Sequence, residues 1–219
     1  MSAVDRRSVF SLVRRALMFE LRLYRSLFRW VTRRPVVPSP DVEAFGYAQA
    51  VAPIMWVWIF ASGIEILVLH LLIPWPTVRI IALVISAWGL LWMLGFLASL
   101  NVYPHLLGDA ALRIRHGASV DIAIPWDSIA TIAVQRRDLP SSIRTLQLRE
   151  TKGSTELQVG VSGQVNVHAV LRHPLTVTTP KGSQRITELS FWVDDPRALV
   201  ARARQHLTSE ATRQDQPRA

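Results

Sequence analysis

The chain contains no cysteine among its 219 residues. Disulfide bonds, thiolate catalysis and cysteine-ligated zinc sites are therefore excluded. The other reactive side chains show no nucleophile–base set, metal-ligand spacing or phosphate-binding loop above chance. His168 and His173, five residues apart, do not form a persuasive ligand pair. The sequence consequently predicts a protein that is not an enzyme, with no catalytic residues, no cofactor and no metal.

Charged side chains are also missing from two long stretches. None occurs between Glu43 and Glu65, and none occurs over residues 80–108. A helix that crosses the hydrocarbon of a bilayer needs about 20 apolar residues. The sequence therefore predicts a two-helix transmembrane hairpin over residues 48–100, with a Pro-Trp-Pro turn and a first span that begins near Asp41.

Two polar residues, Glu65 and His70, interrupt the predicted first span. An ionised carboxylate at the bilayer centre costs about 2.5 to 3.5 kcal/mol, so Glu65 should be protonated, paired or turned into a helix interface. One hypothesis is a proton or ion relay through Glu65 and His70. The other is a packing contact, in which Glu65 hydrogen-bonds to Ser86 or to the Trp88 indole and His70 lies near the outer headgroups.

Positive charge is concentrated before the hairpin. The chain carries a formal charge of +9, and residues 1–40 hold nine arginines against Asp5 and Glu20. These arginines are interleaved with large apolar residues beside a predicted span, which favours an anionic lipid surface as the partner. No nucleic-acid partner is predicted.

Residues 1–34 are predicted to form a basic amphipathic helix on the membrane surface, because apolar residues recur at spacings of three and four. The apolar stripe consists of Phe10, Val13, Leu17, Leu21, Tyr24, Phe28 and Val31. The arginines expected to contact lipid phosphates are Arg14, Arg15, Arg22, Arg25 and Arg29. Alternatively, the same stripe packs on a partner helix or on the soluble domain.

The distribution of basic residues also predicts the orientation. The arginine-rich arm lies on one side of the hairpin, whereas the connecting loop has only Arg79. Both termini should therefore be cytoplasmic, in a multi-pass membrane protein. Residues 35–47, with three prolines, are interpreted as a linker and the start of the first span.

After the hairpin, apolar residues alternate with period two, which predicts about seven short strands joined mostly as antiparallel hairpins. In the first hairpin, a shared core face places Arg113 opposite Asp121 and Arg115 opposite Ser119. A final helix should begin after Asp195 as its N-cap and end near residue 208. Residues 209–219 are predicted to be a disordered tail.

Four segments after the hairpin carry a resemblance to a known family. They are Leu112-Arg-Ile-Arg-His-Gly117, Ile124-Pro-Trp-Asp-Ser-Ile129, Asn166-Val-His-Ala-Val-Leu-Arg-His-Pro174 and Val193-Asp-Asp-Pro196. In this order, they resemble the bacterial pleckstrin-homology (PH) domain of small membrane proteins, over residues 107–208. The resemblance implies an α+β split β-barrel of about seven antiparallel strands with a C-terminal capping helix. It implies no established activity, cofactor or ligand site.

The same resemblance suggests candidate lipid-binding residues. Eukaryotic PH domains that bind phosphoinositides place basic residues around their first loop, where this chain has Arg113 and Arg115. Lys181 and Arg185, at a later hairpin, are further candidates for headgroup contacts. The alternative is that these residues are solvated charges that discourage pairing of strand edges.

The predicted function is that of a membrane-anchored cytoplasmic adaptor or scaffold. Its PH-like domain would recruit protein partners or associate with its own copies at the inner leaflet, where restriction to a thin layer raises the effective concentration. Two alternatives are a sensor of lipid headgroups and a small transport or channel subunit that uses Glu65 and His70.

Overall fold

The structure is a computed structural model that describes residues 3–34, 36–37, 39, 42–140, 145–151, 153–180 and 182–214. Side chains are described over the same ranges except at residues 3–13, 15 and 210–214. The chain divides into two compact units. The helical unit comprises Met1–Pro35 and Ala52–Val102, and the sheet unit comprises Val36–Val51 and Tyr103–Ala219.

The helical unit contains three helices: α1 (Ala3–Val31), α2 (Ala52–Leu72) and α3 (Pro76–Val102). Both α2 and α3 are long and apolar enough to cross a membrane, as their lack of charge predicted. α2 begins at Ala52, later than the predicted start near Asp41, because residues 43–45 form a strand of the sheet unit.

α1 packs against the second half of α3. The helices come close at Gly95, where an added Cβ would lie 3.2 Å from the Leu23 Cβ. The rings of Phe19 and Trp92 also meet, with their centroids 6.4 Å apart. Gly95 therefore allows α1 to approach α3 closely, because it has no side chain in the contact.

The sheet unit contains nine strands within the described residues. They are β1 (Glu43–Phe45), β2 (His105–Leu107), β3 (Ala111–His116), β4 (Val120–Pro125), β5 (Ile129–Asp138), β6 (Leu146–Thr151), β7 (Ser154–Val159), β8 (Gln164–Thr179) and β9 (Gly182–Phe191). One sheet has the order β1-β2-β3-β4, and the other has the order β5-β8-β9-β7-β6.

This topology corrects the predicted strand arrangement. The two sheets do not form a closed barrel. β9 lies between β8 and β7 and pairs with β7 in parallel, so successive strands are not all joined as antiparallel hairpins. β1 adds a strand from the segment that precedes the first apolar helix. Period-two alternation reveals strands but not their spatial order, which explains the difference.

The β3–β4 hairpin has a different register from the predicted one. Arg115 faces Asp121, and Arg113 faces Ala123. The loop begins at Gly117, whose φ of 52° is in the left-handed region that glycine adopts without strain. The three-residue loop is therefore shifted by one position, while the core-facing residues of both strands keep their side of the sheet.

The hydrophobic core lies between the two sheets and is completed by a fourth helix, α4 (Pro196–Gln214). The Asp195 carboxylate accepts a hydrogen bond from the Ala198 N–H at 3.0 Å, which confirms the predicted N-cap. The helix continues past the predicted end near residue 208. Its His206 stacks on the buried Trp126 with ring centroids 4.9 Å apart.

Replacing Gly95 with leucine should separate α1 from α3, because the new side chain would occupy the space of Leu23. The chain has no cysteine, so a Phe19→Cys/Trp92→Cys pair can be joined selectively by a short bifunctional maleimide. We expect efficient crosslinking in the parent protein and loss of most of it after Gly95→Leu.

Gly89→Leu is the matched control for this experiment, since an added Cβ at Gly89 meets nothing within 4 Å. It should leave the crosslink between positions 19 and 92 unchanged. Equal crosslinking in the Gly95→Leu and Gly89→Leu proteins would contradict the described packing of α1.

Candidate functional site

The described part of α1 has distinct faces. One face packs inside the helical unit: Leu23 lies against Gly95 of α3, and Trp30 lies 6.2 Å from Trp56 of α2, measured between ring centroids. At about 100° per residue, the predicted apolar stripe lies on roughly the opposite side. The stripe is open, with Leu21 63% exposed. The described stripe residues therefore do not form the packing face.

The third face of α1 is a row of exposed arginines, Arg14, Arg22 and Arg25, here called the arginine ridge. The ridge lies about 80° around the helix from the apolar stripe. Arg29 is half-buried near the end of the helix, and the side chain of Arg15 is outside the described set. An apolar stripe beside a cationic row suits the boundary between an apolar medium and an anionic one.

Glu20 connects α1 to α3 through hydrogen bonds. Its Oε1 accepts one from the Tyr24 hydroxyl at 2.7 Å and one from Trp88 Nε1 at 2.6 Å. The hydrogen bond from Tyr24 and, to a smaller extent, the one from Trp88 hold the pKa of Glu20 below its usual value. The alternative in which the Trp88 indole hydrogen-bonds to Glu65 is wrong, because the indole donates its hydrogen bond to α1 and not to α2.

Glu65 and His70 are both exposed on α2. Glu65 has no hydrogen bond or ion pair with any described residue, so its predicted contact with Ser86 is not formed. The two side chains are five residues apart and point to different sides of the helix. The structure therefore does not bring Glu65 and His70 together within one chain.

Two of the four candidate lipid residues of the sheet unit, Arg113 and Arg115, already have partners. Arg113 forms a bidentate pair with Asp121, with Nη2–Oδ2 at 2.7 Å and Nε–Oδ1 at 3.1 Å. Arg115 is 4% exposed, and its Nη1 donates to a backbone carbonyl of the linker at 2.8 Å. Arg185 is exposed on β9, and Lys181 lies outside the described residues. Arg113 and Arg115 thus stabilise the sheet unit.

A buried aromatic cluster, which the sequence did not predict, surrounds Tyr47. The Tyr47 ring stacks on His105 and His116, with ring centroids 4.6 and 5.5 Å apart. Its hydroxyl accepts a hydrogen bond from a backbone N–H of the β3–β4 loop at 2.7 Å. His105 Nδ1 accepts from the Arg115 N–H, and His105 Nε2 lies 2.8 Å from a backbone carbonyl. Burial lowers the pKa of both histidines to about 4.

A second buried network surrounds Glu156. Its Oε1 accepts hydrogen bonds from Arg137 Nη2 at 2.6 Å and from the Ser190 hydroxyl, and its Oε2 accepts from Gln158 at 2.9 Å. Arg137 Nη2 also lies 3.0 Å from His168 Nδ1. Burial alone would raise the pKa of Glu156. The hydrogen bonds of His168, Ser190 and Gln158, with the Arg137 charge, outweigh burial and hold it at about 2.

Three side chains of this network could in principle hold a metal ion, since ligand atoms of Glu156, His168 and Glu188 lie within 4.8 Å of one another. However, the Arg137 guanidinium already contacts Glu156 and His168. Ser190 is fully buried, so a substrate does not reach its hydroxyl. The network therefore fits a structural ion pair better than a metal centre or a nucleophile.

No protein-family model, curated protein or solved structure matches this chain. Function must therefore be inferred from the side chains themselves. The apolar stripe and the arginine ridge of α1 are exposed to a partner, whereas the Tyr47 and Glu156 clusters are buried and stabilise the fold.

The Tyr47 cluster predicts how stability depends on pH. His105 and His116 have folded-state pKa values of about 4, below the usual 6.5, so the unfolded chain binds more protons between these values. Stability should be complete above about pH 6.5 and should fall as the pH drops towards 4, by about 1 to 3 kcal/mol for each histidine. Melting of the detergent-solubilised chain between pH 7 and 4 measures this loss.

In this experiment, His116→Phe keeps a ring against Tyr47 and should remove about half of the pH dependence. His173→Gln, at an exposed position on β8, should leave it unchanged. A melting temperature that stays constant from pH 6.5 to 4 in the parent chain would show that the imidazoles are not buried as described.

Proposed function

We propose that this protein is a membrane-anchored adaptor of the bacterial plasma membrane, whose sheet unit binds protein partners or its own copies at the cytoplasmic surface. The observation that carries this proposal is the pairing of β1, which precedes α2, with β2, which follows α3. Both ends of the helical hairpin thus enter one sheet. Only residues 103–104 connect α3 to β2, a link of about 10 Å at full extension.

The tryptophans of the hairpin support two membrane spans. Trp75 lies at the turn, and Trp58 on α2 and Trp92 on α3 are each about 17 residues away from it. At 1.5 Å per residue the separation is about 25 Å, close to the roughly 30 Å of bilayer hydrocarbon. Exposed Trp56 and Trp88 lie near the same level as Trp58 and Trp92. Tryptophans at both levels are typical of membrane interfaces.

α1 would lie at the cytoplasmic interface, where its faces have different environments. The exposed stripe enters the lipid, and the arginine ridge contacts anionic headgroups at about 1 kcal/mol for each basic residue. The packing face holds α1 on α3. Because basic residues near span ends favour the cytoplasmic side, this arrangement also supports cytoplasmic termini.

The sheet unit, proposed to be PH-like, offers a strand edge for partner binding. β6 is the last strand of the five-stranded sheet, and its residues 148–151 are exposed. An exposed edge accepts a further strand from a partner or from a second copy. A lipid sensor based on Arg113 and Arg115 is less well supported, because Asp121 and the linker already occupy these guanidinium groups.

A photocrosslinking residue at Leu148 tests the adaptor proposal in native membranes. Leu148 is 39% exposed on β6, so we expect a discrete crosslinked species whose mass gives either a self-dimer or a partner complex. The control position is Gln205 on α4, which is exposed and away from the strand edge. The same products at both positions, or none at Leu148, would contradict binding at this edge.

A second candidate function is that of a transport or channel subunit, and the exposure of Glu65 favours it. The residue lies near the middle of α2 without a partner among the described residues. A carboxylate that faces lipid at this depth is costly. Association of several copies would bury Glu65 at an interface, where it could line a path or stabilise an oligomer.

Glu65→Gln distinguishes these functions. The adaptor predicts that vesicles containing the parent protein show no proton flux above that of empty vesicles, and that Leu148 crosslinking persists in the variant. A flux in the parent that is lost in Glu65→Gln, but kept in an exposed control on the same helix such as Leu67→Ala, would instead establish transport.

A further inference from the structure

The end of α1 and the end of α3 line an open cavity of about 530 Å³. α1 contributes Arg29, Arg33 and Arg34 to its lining, and α3 contributes Asn101. All of these residues belong to the helical unit. Three cationic side chains therefore converge on one space, although none of them belongs to the arginine ridge.

Backbone hydrogen bonds fix the end of α1, where the three arginines line the cavity. The Arg34 N–H donates to the Arg29 carbonyl at 2.8 Å, and the Arg33 N–H donates to the Trp30 carbonyl at 3.0 Å, which together form a Schellman motif. The motif places Arg33 at φ 53°, a left-handed position that glycine normally occupies. A glycine would adopt this angle without strain, whereas an arginine at this position carries backbone strain.

In the part of the chain that the structure describes, the three arginines, Arg29, Arg33 and Arg34, have no acidic partner. Asn101 Nδ2 donates to a backbone carbonyl of its own helix at 2.8 Å, so the guanidinium groups are the free donors of the cavity. Guanidinium groups form paired hydrogen bonds with the oxygens of a phosphate group. The negative charge of a phosphate would also reduce the repulsion between the three arginines.

The rest of the lining is apolar, with Trp30 and Val102 among its members. The Trp30 ring lies beside Trp56, one of the tryptophans at the cytoplasmic level of the hairpin. One liquid water occupies about 30 Å³. The cavity is therefore much larger than a bare phosphate, which has only a few heavy atoms, would need. An amphiphile with a phosphate beside apolar chains suits these walls better than a free ion.

We propose that this cavity binds the phosphate group of an anionic membrane lipid and so clamps α1 to α3 at the cytoplasmic leaflet. The proposal rests on the membrane anchoring argued above, but not on the adaptor role of the sheet unit. Its recognition element is the cluster of Arg29, Arg33 and Arg34. Basic pockets beside membrane helices on the cytoplasmic side are known sites for anionic headgroups.

Native mass spectrometry of the full chain in detergent tests this site by counting retained lipids. Dioleoylphosphatidylglycerol should bind saturably as one molecule per chain, whereas dioleoylphosphatidylcholine should not. Arg33→Gly should weaken this binding about tenfold, the size expected for one charge-assisted hydrogen bond. Since glycine adopts the left-handed backbone freely, the melting temperature should stay the same or rise.

Arg197→Gln is the control, because it removes one exposed charge from α4 of the sheet unit, outside the unit that holds the cavity and the arginine ridge. It should change phosphatidylglycerol affinity less than twofold. Arg33→Lys should restore part of the affinity that Arg33→Gly loses, because it returns the charge without the fork. Equal losses in Arg33→Gly and Arg197→Gln would mean that binding follows overall charge, and the pocket would be rejected.

A competition experiment identifies the source of the phosphate. Glycerol 1-phosphate and inorganic phosphate, added to the lipid-loaded chain, should not displace phosphatidylglycerol at equal concentration if the apolar wall contributes. Displacement at equal concentration would overturn the lipid assignment in favour of a soluble phosphate. Because lipid retention is measured without any partner, failure of the Leu148 crosslink would leave this result unaffected.

Discussion

The pairing of β1 with β2 is the constraint on which the rest of the molecule depends. Glu43 faces Leu107, so residues on either side of the helical hairpin become neighbours in one sheet. Tyr47 strengthens this connection, because its buried ring and hydroxyl attach the linker to the β3–β4 hairpin. Both ends of the hairpin are therefore joined to the same sheet by short segments, residues 46–51 and 103–104.

The charges of the molecule divide into those used internally and those left open. Arg115 and Arg137 are enclosed by hydrogen-bonding partners in the sheet unit and stabilise its fold. The described arginines of α1 lie instead on an exposed ridge or along a cavity of the helical unit. An exposed cation gains little free energy from a surface ion pair in water but more from the surface of an anionic bilayer. The open arginines therefore favour lipid as their partner.

The sequence predicted those parts of the structure in which one local pattern decides the outcome. Long stretches without charge predicted α2 and α3, and an aspartate before a proline predicted the start of α4. The parallel pairing of β7 with β9 and the Glu156 network were not predictable, because they join strands distant in sequence. β1 has only three residues and shows no alternation. The cavity at Arg33 depends on a backbone angle that side-chain spacing does not encode.

The insertion of β1 before the hairpin also orders the events of biosynthesis. Glu43–Phe45 leaves the ribosome before α2 and α3, yet its partner strand His105–Leu107 follows both. The four-stranded sheet therefore cannot close until both apolar helices have been made, and loop closure across them is a late, non-local step. Both apolar helices are thus synthesised before the sheet is complete, and until then an unpaired strand and these helices are exposed together to aggregation.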